Sequence, residues 1–234
     1  VKSPLGIVFM DSEKRQIGLW SADTINFQGG FGTDEAGLFD PIDIISNQLD
    51  IFILDQSENR YSRFDSQLNF ISSFNFMEEN LLYPSLFSID SRQNIYIYYP
   101  EVNILYRTKG IVSQLSQFLD LNSEINKDNC ISDLDINEVD VFGLLYGCNR
   151  ILHLYSRFGK LIRRFNIQIK DPFIILPFQS SWIIINESGE VEFLDENPII
   201  LFSDKKKVKD AIVDEGKLFL LLDTILLIYD IIDD

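Results

Sequence analysis

The sequence predicts an all-β fold, a β-propeller of four-stranded blades, with six blades. Aromatic residues make up 13% of the chain, with 19 Phe and 9 Tyr, and such residues favour strands over helices. Short apolar runs bounded by polar turns recur along the chain, while segments of helical periodicity are scarce. The runs return every 44 residues, from Ile7 to Ile51 and from Ile51 to Ile95, which is about the length of a four-stranded blade.

Three copies of this unit lie in register. Each copy has an apolar run, a polar turn and a second run, and the copies are Ile7–Asp11 with Gln16–Trp20, Ile51–Asp55 with Arg60–Phe64, and Ile95–Tyr99 with Ile104–Arg107. The two runs of a copy predict the second and third strands of one blade. A single blade cannot bury both of its faces, so the pattern also predicts that neighbouring blades stack.

One domain is expected to span residues 1–234. Counting the copies gives six units, at 7–28, 41–74, 84–119, 131–167, 172–202 and 208–230. The first unit is expected to lack its inner strand and the last unit its outer strand. Five or seven blades are the alternatives.

The second copy carries the fullest pattern. A glycine, a phenylalanine and a proline precede a strand in Gly32–Ile44, and Ile51–Asp65 continues with a strand, an Asp, an Asn-Arg pair and a strand ending in Phe-Asp. This pattern resembles the NHL repeat, and Asn149–Gly159 keeps part of it. The resemblance implies a propeller of degenerate repeats. It also implies that Asp55 and Arg60 tie the ends of their hairpin turn together.

The chain carries 36 acidic and 20 basic residues, a formal net charge of −16. A surface of this charge repels phosphate backbones, so no nucleic-acid partner is expected. The one basic cluster, at Lys205, Lys206, Lys207 and Lys209, is typical of a solvated loop. The longest apolar stretch, Leu218–Tyr229, is shorter than the roughly 20 residues of a membrane span, so no membrane span is expected.

The two cysteines, Cys130 and Cys148, are expected near each other. Cys130 precedes an inner strand, and the hairpin partner of that strand returns to about residue 145. A disulfide and two free, separated thiols are both open alternatives, and a disulfide would favour an oxidising compartment. We expect an extracytoplasmic protein, periplasmic, surface-bound or secreted, although the given chain begins at Val1 without a signal peptide, as a processed or trimmed product would.

Polar side chains of the blade turns are the candidate binding residues. In a propeller, the loops leading into each blade and the turns between its second and third strands share one face, and loops of this kind often carry function. Beside Asp11 and Arg15, the candidates on this upper rim are Asp55, Asn59, Arg60, Tyr99, Asn103, Asn149 and Arg150. The alternative for Asp55 and Arg60 is that they only fasten their own turn.

Carboxylates on the inner strands could converge on the propeller axis. Asp43, Asp133 and Asp210 occupy matching positions near the start of their units. Converging carboxylates repel one another, and a hard cation such as calcium, which takes oxygen ligands, would relieve the repulsion. Because Leu86 and Ile174 occupy this position in other units, solvated carboxylates with no cofactor are expected, and a calcium site is the alternative.

No catalytic set is found in the sequence. His153, the one histidine, lies within an apolar run, so a zinc site built from several histidines cannot form. The leading hypothesis is a noncatalytic binding or scaffolding propeller that holds a protein, peptide or glycan on its rim. Two alternatives are a calcium-dependent, lactonase-like hydrolase with a metal at the axis, and a subunit of a larger assembly completed by strand pairing at residues 1–30 and 225–234.

Overall fold

The computed structural model describes residues 1–22, 24–32, 35–47, 49–76, 81–111, 114–122, 130–194, 199–201 and 207–231. The chain divides into two compact units, Val1–Asn129 and Cys130–Asp234. Within the described residues, each unit contains three antiparallel sheets whose strands follow one another in sequence order. We number these sheets as blades 1 to 6 along the chain.

Blades 1 to 3 form the first unit, with four strands each. The strands of blade 1 are β1 (Lys2–Ser3), β2 (Gly6–Asp11), β3 (Gln16–Ser21) and β4 (Thr24–Gly29). The strands of blade 2 are β5 (Pro41–Asn47), β6 (Asp50–Asp55), β7 (Arg60–Asp65) and β8 (Phe70–Asn75). The strands of blade 3 are β9 (Leu86–Ile89), β10 (Ile95–Tyr99), β11 (Ile104–Arg107) and β12 (Ser116–Asp120).

Blades 4 to 6 form the second unit. The strands of blade 4 are β13 (Ile131–Ile136), β14 (Phe142–Tyr146), β15 (Ile151–Tyr155) and β16 (Leu161–Asn166), with a 3₁₀ helix at Gly147–Asn149. The strands of blade 5 are β17 (Pro172–Phe178), β18 (Ser181–Asn186), β19 (Glu190–Phe193) and β20 (Ile199–Ile200). The described strands of blade 6 are β21 (Asp210–Asp214), β22 (Lys217–Leu221) and β23 (Leu226–Asp230).

The second strand of a blade is the most apolar because it is covered on both faces. Every residue of β10 is buried, and so is the run Ile51–Asp55 of β6. Strands that are buried on both faces read as continuous apolar runs, which is the pattern repeated along the sequence. At the opposite edge, every residue of β4 is exposed.

Neighbouring blades of the first unit pack through these second strands. Val8 of blade 1 and Ile51 of blade 2 belong to one buried cluster. Leu54, on the opposite face of β6, belongs to a second cluster with Ile97 of blade 3. Fully burying such a side chain stabilises the fold by about 1.5–3 kcal/mol. The two faces of blade 2 therefore fix its neighbours on either side.

The second unit uses the same packing. Leu145 of blade 4 and Ile184 of blade 5 belong to one buried cluster. Ile183 of blade 5, which points the other way, belongs to a cluster with Leu220 of blade 6. Because side chains alternate along a strand, consecutive residues of β18 serve different neighbours.

A disulfide fastens the start of the second unit. Cys130, just before β13, is bonded to Cys148 in the 3₁₀ helix, with the two Cα atoms 5.9 Å apart. The N–H of Gly147 also donates to the carbonyl of Cys130 at 3.0 Å. The bridge lies at the surface, since Cys148 is exposed. The inner strand of blade 4 is thereby joined to the turn between the second and third strands.

The strand order confirms the predicted all-β propeller, with six blades among the described residues. Blade 1 does have an inner strand, the two-residue β1, which pairs with the start of β2. Blade 6 has three described strands, the last of which is β23, and its expected lack of an outer strand stays a prediction. The one helix in the described ranges is a single 3₁₀ turn, so none of the described helices could span a membrane.

The predicted basic cluster is only partly described, because Lys205 and Lys206 lie outside the described residues. Lys207 pairs with Glu187, and the ammonium of Lys209 lies 3.4 Å from the carboxylate of Asp223. The side chains of these ion pairs are largely exposed. Exposed ion pairs contribute little to stability, so these two lysines behave as part of a solvated surface.

Candidate functional site

The turns between the second and third strands share one backbone conformation. Arg15, Asn59, Asn103 and Arg150 occupy the same place in blades 1 to 4, and their φ angles are 56°, 47°, 53° and 52°. This left-handed conformation is uncommon for residues with a side chain, and Asn adopts it more readily than most. The left-handed backbone conformation therefore explains why Asn occupies two of these positions.

Asp55 fastens the loop that leads into blade 2. Its carboxylate has no exposed area and accepts hydrogen bonds from the N–H groups of Phe39 at 2.7 Å and Asp40 at 3.1 Å. It also accepts the N–H of Glu58, in the turn that follows β6, at 3.3 Å. A carboxylate can be buried when it is hydrogen-bonded in this way. Asp55 therefore holds the fold together and does not reach the surface.

Two arginines hold the same loop from its other side. Arg60 donates from Nη2 to the carbonyl of Gly37 at 2.6 Å, and Arg15 of blade 1 donates from Nε to the carbonyl of Phe39 at 2.5 Å. The loop between blades 1 and 2 is thus bound through both its N–H and its carbonyl groups. Asp55 and Arg60 are therefore connected through this loop. Together they fix the loop into blade 2 as well as the turn between them.

Asn59 plays the matching part for the next loop. Its amide donates to the carbonyls of Phe76 at 3.2 Å and Leu81 at 2.6 Å. Its Oδ1 accepts the hydroxyl of Tyr99 at 3.0 Å, and Tyr99 itself is fully buried. Asn59 and Tyr99 therefore join blade 2 to blade 3 and leave little of either side chain for a ligand.

The remaining rim candidates divide between interior and surface. Asn103 is 9% exposed and accepts the hydroxyl of Tyr98 at 2.9 Å. Burial raises the pKa of Tyr98 to about 12, so this hydroxyl remains a donor at neutral pH. In blade 4, Asn149 lies beside the sulfur of Cys130 at 3.6 Å, and Arg150 is exposed. Of the seven predicted contacts, Arg150 is the one whose side chain is classed as exposed.

The inner-strand carboxylates connect consecutive blades. Asp43 accepts the N–H of Phe87 in the next blade at 3.0 Å, across a sequence separation of 44 residues. Asp133 accepts the N–H of Ile175 in the next blade at 2.7 Å. A carboxylate that accepts an N–H group of the next blade thus occurs in both units. Two of the three predicted metal ligands therefore have a structural role.

No described group of three or more His, Cys, Asp or Glu side chains is arranged to hold a metal ion. Asp210, the third candidate, accepts the N–H of Ala211 at 2.8 Å. Carboxylates whose oxygens already accept backbone N–H groups have fewer lone pairs left for a cation. The calcium site stays a prediction, and its test is given in the Discussion.

The one histidine is a core residue. His153 is 1% exposed, and its Nδ1 lies 3.1 Å from the hydroxyl of Tyr155. Its ring centroid lies 4.7 Å from that of Tyr146. A side chain enclosed in this way cannot approach a substrate from solvent, which agrees with the interpretation of His153 as a strand residue.

A groove of about 540 Å³ opens on the outer part of blade 2. Its walls come from the loop leading into the blade (Glu35 and Phe39), the β6–β7 turn (Glu58 and Arg60) and the outer strand β8 (Phe70–Ser73). The groove therefore combines two carboxylates, one guanidinium, two aromatic rings and two hydroxyls. Charged and hydroxyl groups therefore make up most of the lining, beside three apolar side chains.

The strand behind the groove contains enclosed polar atoms without partners. Four such side-chain atoms lie on consecutive residues of β7, namely Arg60 Nε, Tyr61 hydroxyl, Ser62 Oγ and Arg63 Nε. Arg60 and Ser62 share one side of the strand, because side chains alternate, and Arg60 lines the groove. Burial raises the pKa of Tyr61 well above its usual value, and its ring packs on Phe74 away from the groove.

Sequence reasoning identified Arg60 as a candidate but missed the groove around it. The β8 walls carry no motif, and Ser72 and Ser73 resemble any exposed strand residues in the sequence. Phe39 stands in the NHL-like pattern, where it indicates the fold and says nothing about a cavity. Only the folded loop brings Glu35 opposite β8.

The described fold places this chain in the class of six-bladed β-propellers. No family model matches the sequence, and no curated protein matches it either. Solved structures do match. A streptogramin B lyase structure has a TM-score of 0.68 at 9% identity, covering 97% of this chain and 80% of its own.

Two further structures extend the comparison. Virginiamycin B lyase from Staphylococcus aureus, solved with quinupristin as a catalytically inactive His-to-Ala variant, has a TM-score of 0.66 at 13% identity and covers 92% of this chain and 73% of its own. YCF48 bound to a D1 peptide has a TM-score of 0.61 at 10% identity and covers 92% of this chain and 72% of its own. Likeness at such identities establishes the propeller fold and no activity.

Proposed function

We propose that this chain is a noncatalytic binding propeller that holds an extended segment of a partner polypeptide in the groove of blade 2. The observation that carries the proposal is the enclosed, unpartnered Nε of Arg60, a residue that lines the groove. Enclosed polar atoms without partners are costly, so a bound polar group or water would stabilise them. The amides and carbonyls of a peptide supply both donors and acceptors.

The walls of the groove indicate the chemistry of that segment. Glu35 and Glu58 attract a basic side chain, and Phe39 and Phe70 favour an apolar one beside it. The net charge of −16 also favours a neutral or basic partner over an acidic one. The proposed ligand is therefore a basic peptide segment with at least one apolar anchor.

Binding is better supported than catalysis. The similar virginiamycin B lyase structure is a histidine variant described as catalytically inactive, whereas the one histidine here, His153, is buried in a strand. The similar YCF48 structure holds a peptide. Neither likeness transfers an activity, and the YCF48 structure supports the proposal because it is a similar fold bound to a peptide.

We place this function outside the cytoplasm. The bridge between Cys130 and Cys148 is exposed through Cys148, and exposed disulfides persist in oxidising compartments. The proposed partner is therefore an exported or surface polypeptide. A glycan is the less favoured ligand, because the groove has two carboxylates and one guanidinium among its polar groups and few neutral donors.

The test selects ligands from a random peptide library displayed on phage and measures their affinity by calorimetry. Ser73, exposed on β8 in the wall of the groove, is replaced by tryptophan to fill the groove. The matched control is Gln117→Trp, at the corresponding place on the outer strand of blade 3. We expect Ser73→Trp to weaken selected basic peptides by about tenfold or more, and Gln117→Trp to leave their affinity unchanged.

The outcomes separate clearly. Equal binding to both variants would show that the peptides bind elsewhere, and the groove would be excluded as the site. Failure to select any peptide would contradict the proposal outright. A selection dominated by acidic peptides would contradict the role given to Glu35 and Glu58.

A further inference from the structure

The outer strand of blade 1 lacks the features that protect strand edges. An edge strand presents unpaired N–H and C=O groups, and natural proteins blunt such edges with bulges, charges, proline or short length. β4 pairs with β3 over six consecutive residues without a register shift. Its sequence, Thr24–Gly29, contains no charged residue and no proline. All six of its residues are exposed.

The outer strands of the other blades are protected. Those of blades 2, 3 and 4 each contain a bulge, with Ile71, Phe118 and Ile162 as the extra residue. The outer strand of blade 5 has two described residues, and the last described strand of blade 6 ends on the charged Asp230. Among the described outer strands, β4 alone is six residues long, regular and uncharged.

The two faces of β4 differ in polarity. Ile25 and Phe27 lie on one face and are 50% and 48% exposed. The Phe27 ring contacts the Phe9 ring edge to face, with centroids 5.8 Å apart. Phe9 in turn covers Gly18, where a Cβ atom would lie 2.4 Å from the ring. Glycine at this position therefore allows an apolar floor of two aromatic rings beside the strand.

We propose that β4 accepts one extended strand of a partner polypeptide by β-augmentation. In an antiparallel sheet, part of the backbone groups of an edge strand point outward, where they can pair with an added strand. An added strand would place apolar residues over Ile25 and Phe27 and polar residues beside Asn26 on the other face. This inference rests on β4 and is independent of the groove of blade 2.

The net charge of the chain indicates which kind of strand would pair with β4. A second copy would bring two chains of net charge −16 together, which opposes self-pairing. A strand with basic residues at its polar positions lowers the charge of the complex instead. The occupant is therefore a foreign strand in which apolar residues alternate with basic or neutral polar ones.

The experiment uses a synthetic peptide in which valine alternates with lysine and threonine, and a matched peptide with glutamate in place of lysine. Binding to the whole chain is measured by calorimetry, and amide hydrogen exchange locates the site. The test variant is Ile25→Lys, on the apolar face of β4. The control is Ile162→Lys, since Ile162 is similarly exposed, at 56%, but lies on a bulged strand.

We expect the lysine peptide to slow exchange of the β4 amides and to bind about tenfold more tightly than the glutamate peptide. Ile25→Lys should lose at least that factor, and Ile162→Lys should bind as wild type does. Equal loss in both variants, equal affinity of both peptides, or protection away from β4 would each overturn the inference. A concentration-dependent dimer abolished by Ile25→Lys would also overturn it, by making a second copy the occupant.

Discussion

At the scale of single residues, several carboxylates of this chain hold the blades by accepting backbone N–H groups. Asp55 and Glu192, both buried, each accept at least two backbone N–H bonds from the loop that leads into their blade. Asp43 and Asp133 do the same between inner strands. Ionised acceptors make stronger hydrogen bonds than neutral ones, so a few of the 36 acidic residues hold the blades together.

Replacing Asp43 tests this role. Asp43→Ala removes the acceptor of the Phe87 and Ile44 N–H groups, and we expect the free energy of unfolding to fall by about 1–3 kcal/mol. Asp43→Asn keeps one oxygen acceptor and should lose less. Urea unfolding of the three proteins measures the difference. Wild-type stability in the alanine variant would show that the bond between blades contributes nothing.

At the scale of elements, each blade depends on how its turns are fixed. The loops into blades 2 and 3 are held by side chains, through Asp55 and Asn59. Blade 4 has a covalent link instead, since the disulfide joins the start of β13 to the turn after β14. The covalent link stands where the first described strand of the second unit begins.

The disulfide should contribute measurably to stability. It joins residues separated by 18 positions, and closing a loop of that size stabilises a fold by about 3 kcal/mol in the chain-entropy model. We expect the double variant Cys130→Ser/Cys148→Ser to lose about this much in urea unfolding, and reduced wild type to match it. Mass spectrometry that finds two free thiols in natively produced protein would contradict both the bridge and the extracytoplasmic placement.

At the scale of the whole molecule, the prominent property is a net charge of −16 on a propeller fold. This charge disfavours phosphate-rich partners and favours basic ones. It also raises the question of whether a divalent cation binds. The hydrogen bonds of Asp43 and Asp133 indicate that the inner carboxylates are already satisfied.

Calcium removal tests that conclusion. We expect the same melting temperature in calcium and in chelator, and no stoichiometric calcium in protein purified without chelator. A ligand that binds only the folded state stabilises it by about 2.7 kcal/mol at a concentration of 100 Kd, so a real site would raise the melting temperature visibly. A rise in calcium but not in magnesium would establish a metal centre and favour the lactonase-like alternative.

The fold could be predicted from the sequence because its strands recur at a regular spacing. The groove could not be predicted, because the loop that forms it follows no such spacing. The recurrence of Ile7, Ile51 and Ile95 reports the second strand of three blades, and those strands are β2, β6 and β10. Asp55 and Arg60 were recognised from the NHL-like pattern as turn residues. Their actual partners, Phe39 and Gly37, lie in a loop whose path no periodicity describes.

The sequence by itself determined the all-β class, the length of the repeating unit and the acidic surface, because alternation, spacing and charge are properties of the linear chain. The tertiary structure alone decided which polar residues are enclosed and which are open. Asp55, Tyr99 and Asn103 entered the interior, while Ser73 and β4 remained exposed. Burial depends on which blade packs against which face, and that arrangement arises only when distant segments meet.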